Sequence, residues 1–451
     1  MATLRLRRAQ YLGYGIGATG SSGFGTVPGL VLAVFLTDVV GVAAGIAALV
    51  VLLPKAWGVV FLPIVGNLSD RVTARTGRRS GFLVIGAVGL LISFPLMFGV
   101  PAGASPNTAA VWVLVGFLIA ATAFGFFQVP YVALSAEITD NAQERTTLMT
   151  WRVGLQFLGI LSFGIGAPLI ATSAANDARG FLAMGVVVGA AICVAMLACW
   201  ATVRRMPRYA GEPTSGDINL LHQLRLTWQS RAFRILLSAF VLQALGTGAV
   251  LAALPYFAGQ ILGLASFGVV YGLLILPAAL AMPLWGLLAR RLGKRRGYLT
   301  AIGLFLAGML GTLTGGYTPV AITLAFMLLV SVGYSGMQLF PLALLPDVID
   351  DDARVSGQQR AGAFTGIWTA GETVSFAIGP ALVLLILAIS GYASTTSAVV
   401  VEQSGTAITG IRVATTLLPL ALVALSVPLV LRWSLTGEGP REHAGPATVD
   451  G

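Results

Sequence analysis

A chain of 451 residues that is 57% hydrophobic and 10% charged, with a mean hydropathy of +0.88, carries more apolar surface than a soluble core of its size could enclose. That excludes a soluble enzyme and predicts an integral membrane protein. The net charge of +10 would suit a nucleic-acid binder, but the basic residues fall between apolar runs rather than in one patch, so no nucleic-acid partner is expected.

Apolar stretches of about 20 residues, enough to cross roughly 30 Å of hydrocarbon as helix, recur from end to end. Twelve spans are predicted, starting near Tyr11, Val42, Gly81, Ala109, Met149, Phe181, Phe233, Phe267, Tyr298, Ala321, Gly362 and Thr406. The basic N-terminus and the run after it resemble a secretory signal, but that run is too long and continues into a second span, so it is expected to stay as a helix. Within it, Gly15-x-Gly17-x-x-Gly20 matches a dinucleotide fingerprint as text. No strand precedes it, and close helix packing is the better reading.

Lys and Arg accumulate in loops that remain cytoplasmic. Arg5, Arg7 and Arg8 precede span one; Arg71, Arg75, Arg78 and Arg79 follow span two; Arg145 and Arg152 follow span four. Arg204, Arg205, Arg208, Arg225 and Arg231 fill the centre, Arg290, Arg291, Lys294, Arg295 and Arg296 follow span eight, and Arg354 and Arg360 follow span ten. The other side offers Arg179, with Arg412 near the start of the last span. The pattern predicts a multi-pass plasma-membrane protein with both termini cytoplasmic. Cys193 and Cys199 lie inside span six and read as packing residues.

The chain also repeats itself. Pro63-x-x-Gly66-x-x-x-x-Arg71 at the end of span two recurs as Pro283-x-x-Gly286-x-x-x-x-Arg291 at the end of span eight, each with a basic cluster beyond. Gln128, Ala133-Leu134, Glu137 and Asp140 recur at the same spacing as Gln338, Ala343-Leu344, Asp347 and Asp350. Two matches in the same order predict an all-α protein of two six-helix, pseudo-symmetric bundles in parallel repeat, with a solute site between them. The expected units are residues 1–205 and 231–434, a cytoplasmic linker over 206–230 and a disordered tail over 435–451. In the linker Asp217 can cap a helix whose Leu220, Leu221, Leu224 and Trp228 share one face, suited to the membrane surface.

Gly66-Asn-Leu-Ser-Asp70-Arg71 with Thr76-Gly-Arg78-Arg79, Pro130-Tyr131-x-Ala-Leu134-x-x-Glu137 with Glu144-Arg145, and Asp347-Val-Ile-Asp350 with Gly357-x-x-Arg360-x-Gly-x-Phe364-x-Gly-x-Trp368 resemble the glycoside-pentoside-hexuronide:cation symporters. These belong to the major facilitator superfamily, and the resemblance covers nearly the whole chain. It implies the major facilitator fold, alternating access and no enzymatic activity. Gly66 to Arg79 reads as a tight basic loop between two spans. Asp70, Arg71, Arg78 and Arg79, with Glu137, Arg145, Asp347, Asp350 and Arg360, read either as a cytoplasmic gate of charge-assisted bonds or as plain topology charges. Asp351 and Asp352 are expected to be solvated.

Ionisable residues inside spans are costly and are the default functional candidates. Lys55 in span two and Glu372 in span eleven each lie about 17 Å from the cytoplasmic end of their helix, at 1.5 Å per residue. Equal depth predicts that they pair. The resemblance implies two aspartates in span two that hold the coupling cation, but Gly58 and Leu62 stand at those positions. Sodium prefers hard oxygen ligands, so a proton on Glu372 is the expected coupling ion, with a purely structural ion pair as the alternative. No cofactor and no bound metal are expected.

The family's sugar-binding residues are also replaced: its span-one Lys-Asp pair by Ser21 and Ser22, its span-four Asp by Gln128 and its stacking Trp by Val132, while its span-five Arg is matched only approximately by Arg152. What remains is a cavity of neutral polar and aromatic groups, Tyr14, Ser21, Ser22, Gln128, Tyr131, Gln156, Gln243, Thr247, Gln338 and Trp368. Amides and hydroxyls there can bind a neutral solute or simply bond helix to helix. The expected protein is a monomeric proton- or cation-coupled symporter for a small neutral polar solute of the sugar or glycoside class. The alternative is an efflux antiporter for a more apolar metabolite or drug.

Overall fold

The computed structural model describes residues 6–76, 80–139, 142–172, 177–206, 227–264, 267–356, 361–394 and 402–434. Hydrocarbon offers the backbone no partners, so each apolar run satisfies its own N–H and C=O groups as helix. Twelve such helices follow in chain order among the described residues. The first six are α1 (Arg8–Val34, extended by a π-turn at Phe35–Val39), α2 (Ala44–Thr76), α3 (Ser80–Phe98), α4 (Pro106–Ile138), α5 (Ala142–Ala171) and α6 (Asp177–Val203). The second six are α7 (Arg231–Tyr256, extended by a π-turn at Phe257–Ile261), α8 (Phe267–Leu292), α9 (Lys294–Thr312), α10 (Val320–Ser356), α11 (Ala361–Ile389) and α12 (Gly405–Arg432). Eleven are long and apolar enough to cross a membrane; α9 falls short because it opens on Lys294, Arg295 and Arg296.

The basic motif is less of a loop than its sequence suggests. α2 continues through Thr76, so Gly66 to Thr76 form its last turns rather than a hairpin. Nothing in Asn-Leu-Ser-Asp-Arg-Val-Thr-Ala-Arg breaks a helix, and Ser69 bonds back to the Gly66 carbonyl at 3.0 Å without ending it. The repeated copy behaves alike: α8 runs to Leu292, and Gly293, at φ 81°, makes the turn into α9. The linker helix predicted around Asp217 lies outside the described residues, as does the tail.

Helix contacts carry the internal repeat. In the first half α1 packs on α5 and α6, α3 on α4 and α6, and α2 on α4; in the second, α7 packs on α11 and α12, α9 on α10 and α12, and α8 on α10. Between halves, α2 meets α11, α5 meets α8, and α1 meets α7. The glycines of α1 serve this packing. A Cβ on Gly15 would lie 3.1 Å from the Trp151 carbonyl oxygen, and one on Gly20 would lie 3.1 Å from that of Ile192. The fingerprint-like spacing is therefore a close helix contact.

Among the described residues, the start of α1 and the end of α12 lie at one end of the bundle, here the proximal end. One apolar core runs through the first half and continues into the distal ends of α7, α11 and α12, through Leu254, Phe257, Leu384 and Ile411. A second core fills the proximal part of the second half, around Phe233, Tyr298, Phe340, Phe364 and Trp433. The halves thus share their core at the distal end and keep separate cores at the proximal end.

Candidate functional site

Inside the first half, Ser21 of α1 donates to Gln128 Oε1 of α4 at 2.8 Å, and to the Gly17 carbonyl of its own helix at 3.2 Å. Two turns back along α1 and one turn on along α4, Tyr14 and Tyr131 stack with centroids 4.7 Å apart, each hydroxyl donating to the other's carbonyl, at 3.2 and 3.0 Å. The Arg152 guanidinium of α5 sits 5.5 Å from the centre of the Tyr131 ring, and its Nε is buried with no hydrogen-bond partner. A cation over an aromatic face with an unused donor can still recruit a ligand oxygen.

In the second half, Gln338 Nε2 of α10 donates to the Tyr334 hydroxyl at 3.3 Å. Glu372 of α11 is half-buried and lies within electrostatic reach of that hydroxyl, as does Tyr271 of α8. Gln128 and Gln338, matched by the repeat, therefore each hold one hydroxyl group in their own half. Tyr271 also reaches across the halves, where its ring fills the space a Cβ on Gly164 of α5 would need.

Other expected site residues turn elsewhere. Ser22 donates to the Thr19 carbonyl at 2.7 Å and packs against Gly159 of α5. Gln243 is 2% exposed and satisfied on both sides, donating to Ser426 at 2.9 Å and accepting from Tyr298 at 2.8 Å. It fastens α7, α9 and α12 together, with both ends of its amide engaged in that packing. Thr247 donates to the Ala244 carbonyl of its own helix at 3.2 Å. Trp368 is buried and stacks on Phe240 with centroids 4.3 Å apart, its Nε1 without a partner. Gln156 is half-buried on α5.

The expected Lys55–Glu372 pair is not formed in this structure. Lys55 Nζ donates instead to the backbone carbonyl of Phe376, one turn further along α11. The depth argument placed the two residues level, but the acceptor that Lys55 reaches lies four residues beyond Glu372 on α11, about 6 Å at 1.5 Å each. At the two positions where the resemblance implies carboxylates, Gly58 faces open space and Leu62 packs against Gly125 of α4.

At the proximal end, Lys294 of α9 bonds both carboxylate oxygens of Asp347 at 2.6 and 2.7 Å, and the Ala343 carbonyl at 2.9 Å. This bond lies within the second half. Arg71 and Asp350 are exposed, whereas Asp351, expected to be solvated, is 8% exposed. Arg78, Arg79 and Arg360, and the side chains of Asp70, Glu137 and Arg145, lie outside the described residues. A separate apolar hollow of about 420 Å³, lined by Trp57, Ile85, Ile119 and Phe126, lies within the first half between α2, α3 and α4.

Two repeated six-helix halves, with polar groups on the inner helices and ionisable residues at the seam between them, define a secondary transporter of the major facilitator superfamily. The family description "MFS/sugar transport protein" matches residues 13–437, and the chain belongs to that family, in its glycoside-pentoside-hexuronide:cation symporter branch. It is 28% identical to an Escherichia coli homologue named glycoside/cation symporter YagG, across 94% of this chain and 91% of that one. It is 23% identical to the Escherichia coli glucuronide carrier protein homolog, across 96% and 93%. A crystal structure of a D-xylose-proton symporter shares the fold, with a TM-score of 0.67 at 15% identity over 94% of this chain and 96% of that one. Neither function nor family calls for enzymatic chemistry.

Proposed function

We propose that the protein carries a small neutral solute of the glycoside class across the plasma membrane by alternating access, together with a proton or another small cation. The observation that carries the reading is the pair of repeat-related amides, Gln128 with Ser21 and Gln338 with Tyr334, set on the inner helices of opposite halves. Arg152 and Tyr131 extend the first of these toward a hydroxyl-rich ligand. The comparison with a homologue named as a symporter supports uptake rather than export.

Glu372 is the candidate proton carrier, since Lys55 is engaged by Phe376 and leaves that carboxylate free of a lysine partner. An apolar Leu62 packed on Gly125 is a poor replacement for a sodium ligand. The distribution of Lys and Arg supports a cytoplasmic proximal end, so a structure packed at the distal end corresponds to an inward-facing, monomeric carrier. Uptake of a labelled glycoside panel into proteoliposomes, driven in turn by a proton and a sodium gradient, tests this. Accumulation under the proton gradient is expected. Uptake of none of the panel, with efflux of apolar compounds instead, would overturn it.

A further inference from the structure

At the distal end α1 and α7 finish alike. Each closes in a π-turn and then meets a left-handed glycine, Gly41 at φ 70° and Gly263 at φ 64°. The backbone bonds match too: Val40 to Phe35 at 3.1 Å and Leu262 to Phe257 at 3.0 Å, then Val42 to Leu36 at 2.7 Å and Leu264 to Ala258 at 2.9 Å. A π-turn inserts an extra residue and re-aims the side chains around it. The match makes Asp38 and Gln260 equivalent positions of the two halves.

Both reach one hydroxyl. Tyr392, just beyond α11, donates to the two carboxylate oxygens of Asp38 at 3.0 and 3.1 Å, and the Gln260 side chain lies beside the same hydroxyl. Thr37 donates to Asp38 at 2.8 Å and accepts from Tyr256 of α7 at 2.9 Å, and the rings of Tyr256 and Tyr392 meet edge to face at 5.3 Å. The loop that presents Tyr392 is braced. Gly391 at φ 71° lets the Tyr392 N–H close on the Leu387 carbonyl at 3.0 Å, and Gln403 clamps Ala393 through two bonds, at 2.9 and 3.0 Å.

We infer that Asp38 and Tyr392, with the Thr37–Tyr256 bond beside them, form a latch that holds the halves together at the distal end and opens once per transport cycle. The inference rests on the alternating-access reading. Thr37 and Tyr256 are 0% and 1% exposed, so while closed their polar groups depend on one another. Opening at this end admits water, which can replace Tyr392 on the Asp38 carboxylate; a latch satisfied in both states can be crossed reversibly.

The test is a pulsed electron-resonance distance measurement on the full chain in nanodiscs, with nitroxides at the exposed distal positions Ala43 and Glu402. The native Cys193 and Cys199 are buried, at 5% and 0% exposure, and escape labelling. Tyr392→Phe is expected to raise the ratio of wide to narrow separations roughly tenfold, as for loss of a hydrogen bond to a charged group. Asp38→Asn, which keeps an acceptor, should stay closer to the parent than Asp38→Ala does. Separations in Tyr392→Phe that match the parent, even with a lowered unfolding temperature, would overturn the latch and reduce these bonds to packing. No solute is present, so the result is independent of what the protein carries.

Discussion

Lys55 donates to the carbonyl of Phe376, and that carbonyl is short of a donor because the residue four positions on, Pro380, has no N–H. An orphan carbonyl and an ammonium at membrane depth are each costly, at about 1–3 kcal/mol for the unsatisfied group alone. Brought together across the α2–α11 seam they satisfy one another. The bond ties the halves at a point where α11 is already interrupted.

Pro380→Ala returns a helical donor to Phe376, so the oxygen must be shared. Lys55→Met should therefore destabilise the Pro380→Ala background less than the parent, by about 1 kcal/mol in a double-mutant cycle. Unfolding midpoints in detergent supply the four values. Strict additivity would mean that proline and lysine are unrelated.

The absence of a Lys55–Glu372 bond sharpens the expectation for Glu372. Without a fixed cationic partner, the carboxyl can gain and lose a proton as the seam opens. Glu372→Gln is expected to abolish accumulation against a gradient while leaving solute exchange at equal concentrations near the parent rate. Accumulation that survives the substitution would remove Glu372 from coupling.

Much of this architecture is written in the sequence, because a membrane span needs about 20 apolar residues and little else looks like that. Helix ends are harder: Asn67 to Arg75 are polar yet compatible with helix, so α2 outruns its apolar stretch. Contacts between helices are harder still. Pro380 is visible in the sequence as a missing donor, but the register that brings Lys55 to it is a property of the packed halves. Asp38 reads as the edge of a span, and nothing local points to Tyr392, 354 positions away. Gln243 and Gln128 look alike until Tyr298 and Ser426 are seen to bury the first among three helices.

That contrast can be measured. Gln243→Ala strands the Tyr298 hydroxyl and breaks two buried bonds, so the unfolding midpoint should fall by the equivalent of about 2–4 kcal/mol. The KM of the folded fraction should stay within about twofold of the parent. Gln128→Ala should do the reverse, raising KM about tenfold, the worth of one good hydrogen bond to solute, with little loss of stability. Equal effects of both substitutions on KM would place Gln243 back in the solute site.

The glycines of α1 give a matched pair on one helix. A side chain at Gly20 meets the Ile192 carbonyl oxygen at 3.1 Å and the Met196 Cγ at 2.8 Å, while at Gly25 a Cβ meets nothing within 4 Å. Methionine can swing aside, but the backbone of α6 cannot move without shifting the α1–α6 contact. Gly20→Val should therefore sharply reduce the monodisperse yield from membranes. Gly25→Ala fills open space and removes a flexible residue from mid-helix, so its yield should match the parent and its unfolding midpoint should hold or rise by the equivalent of about 0.5–1 kcal/mol. A Gly20→Val protein as abundant and stable as Gly25→Ala would mean that α1 and α6 stand further apart than their close approach here.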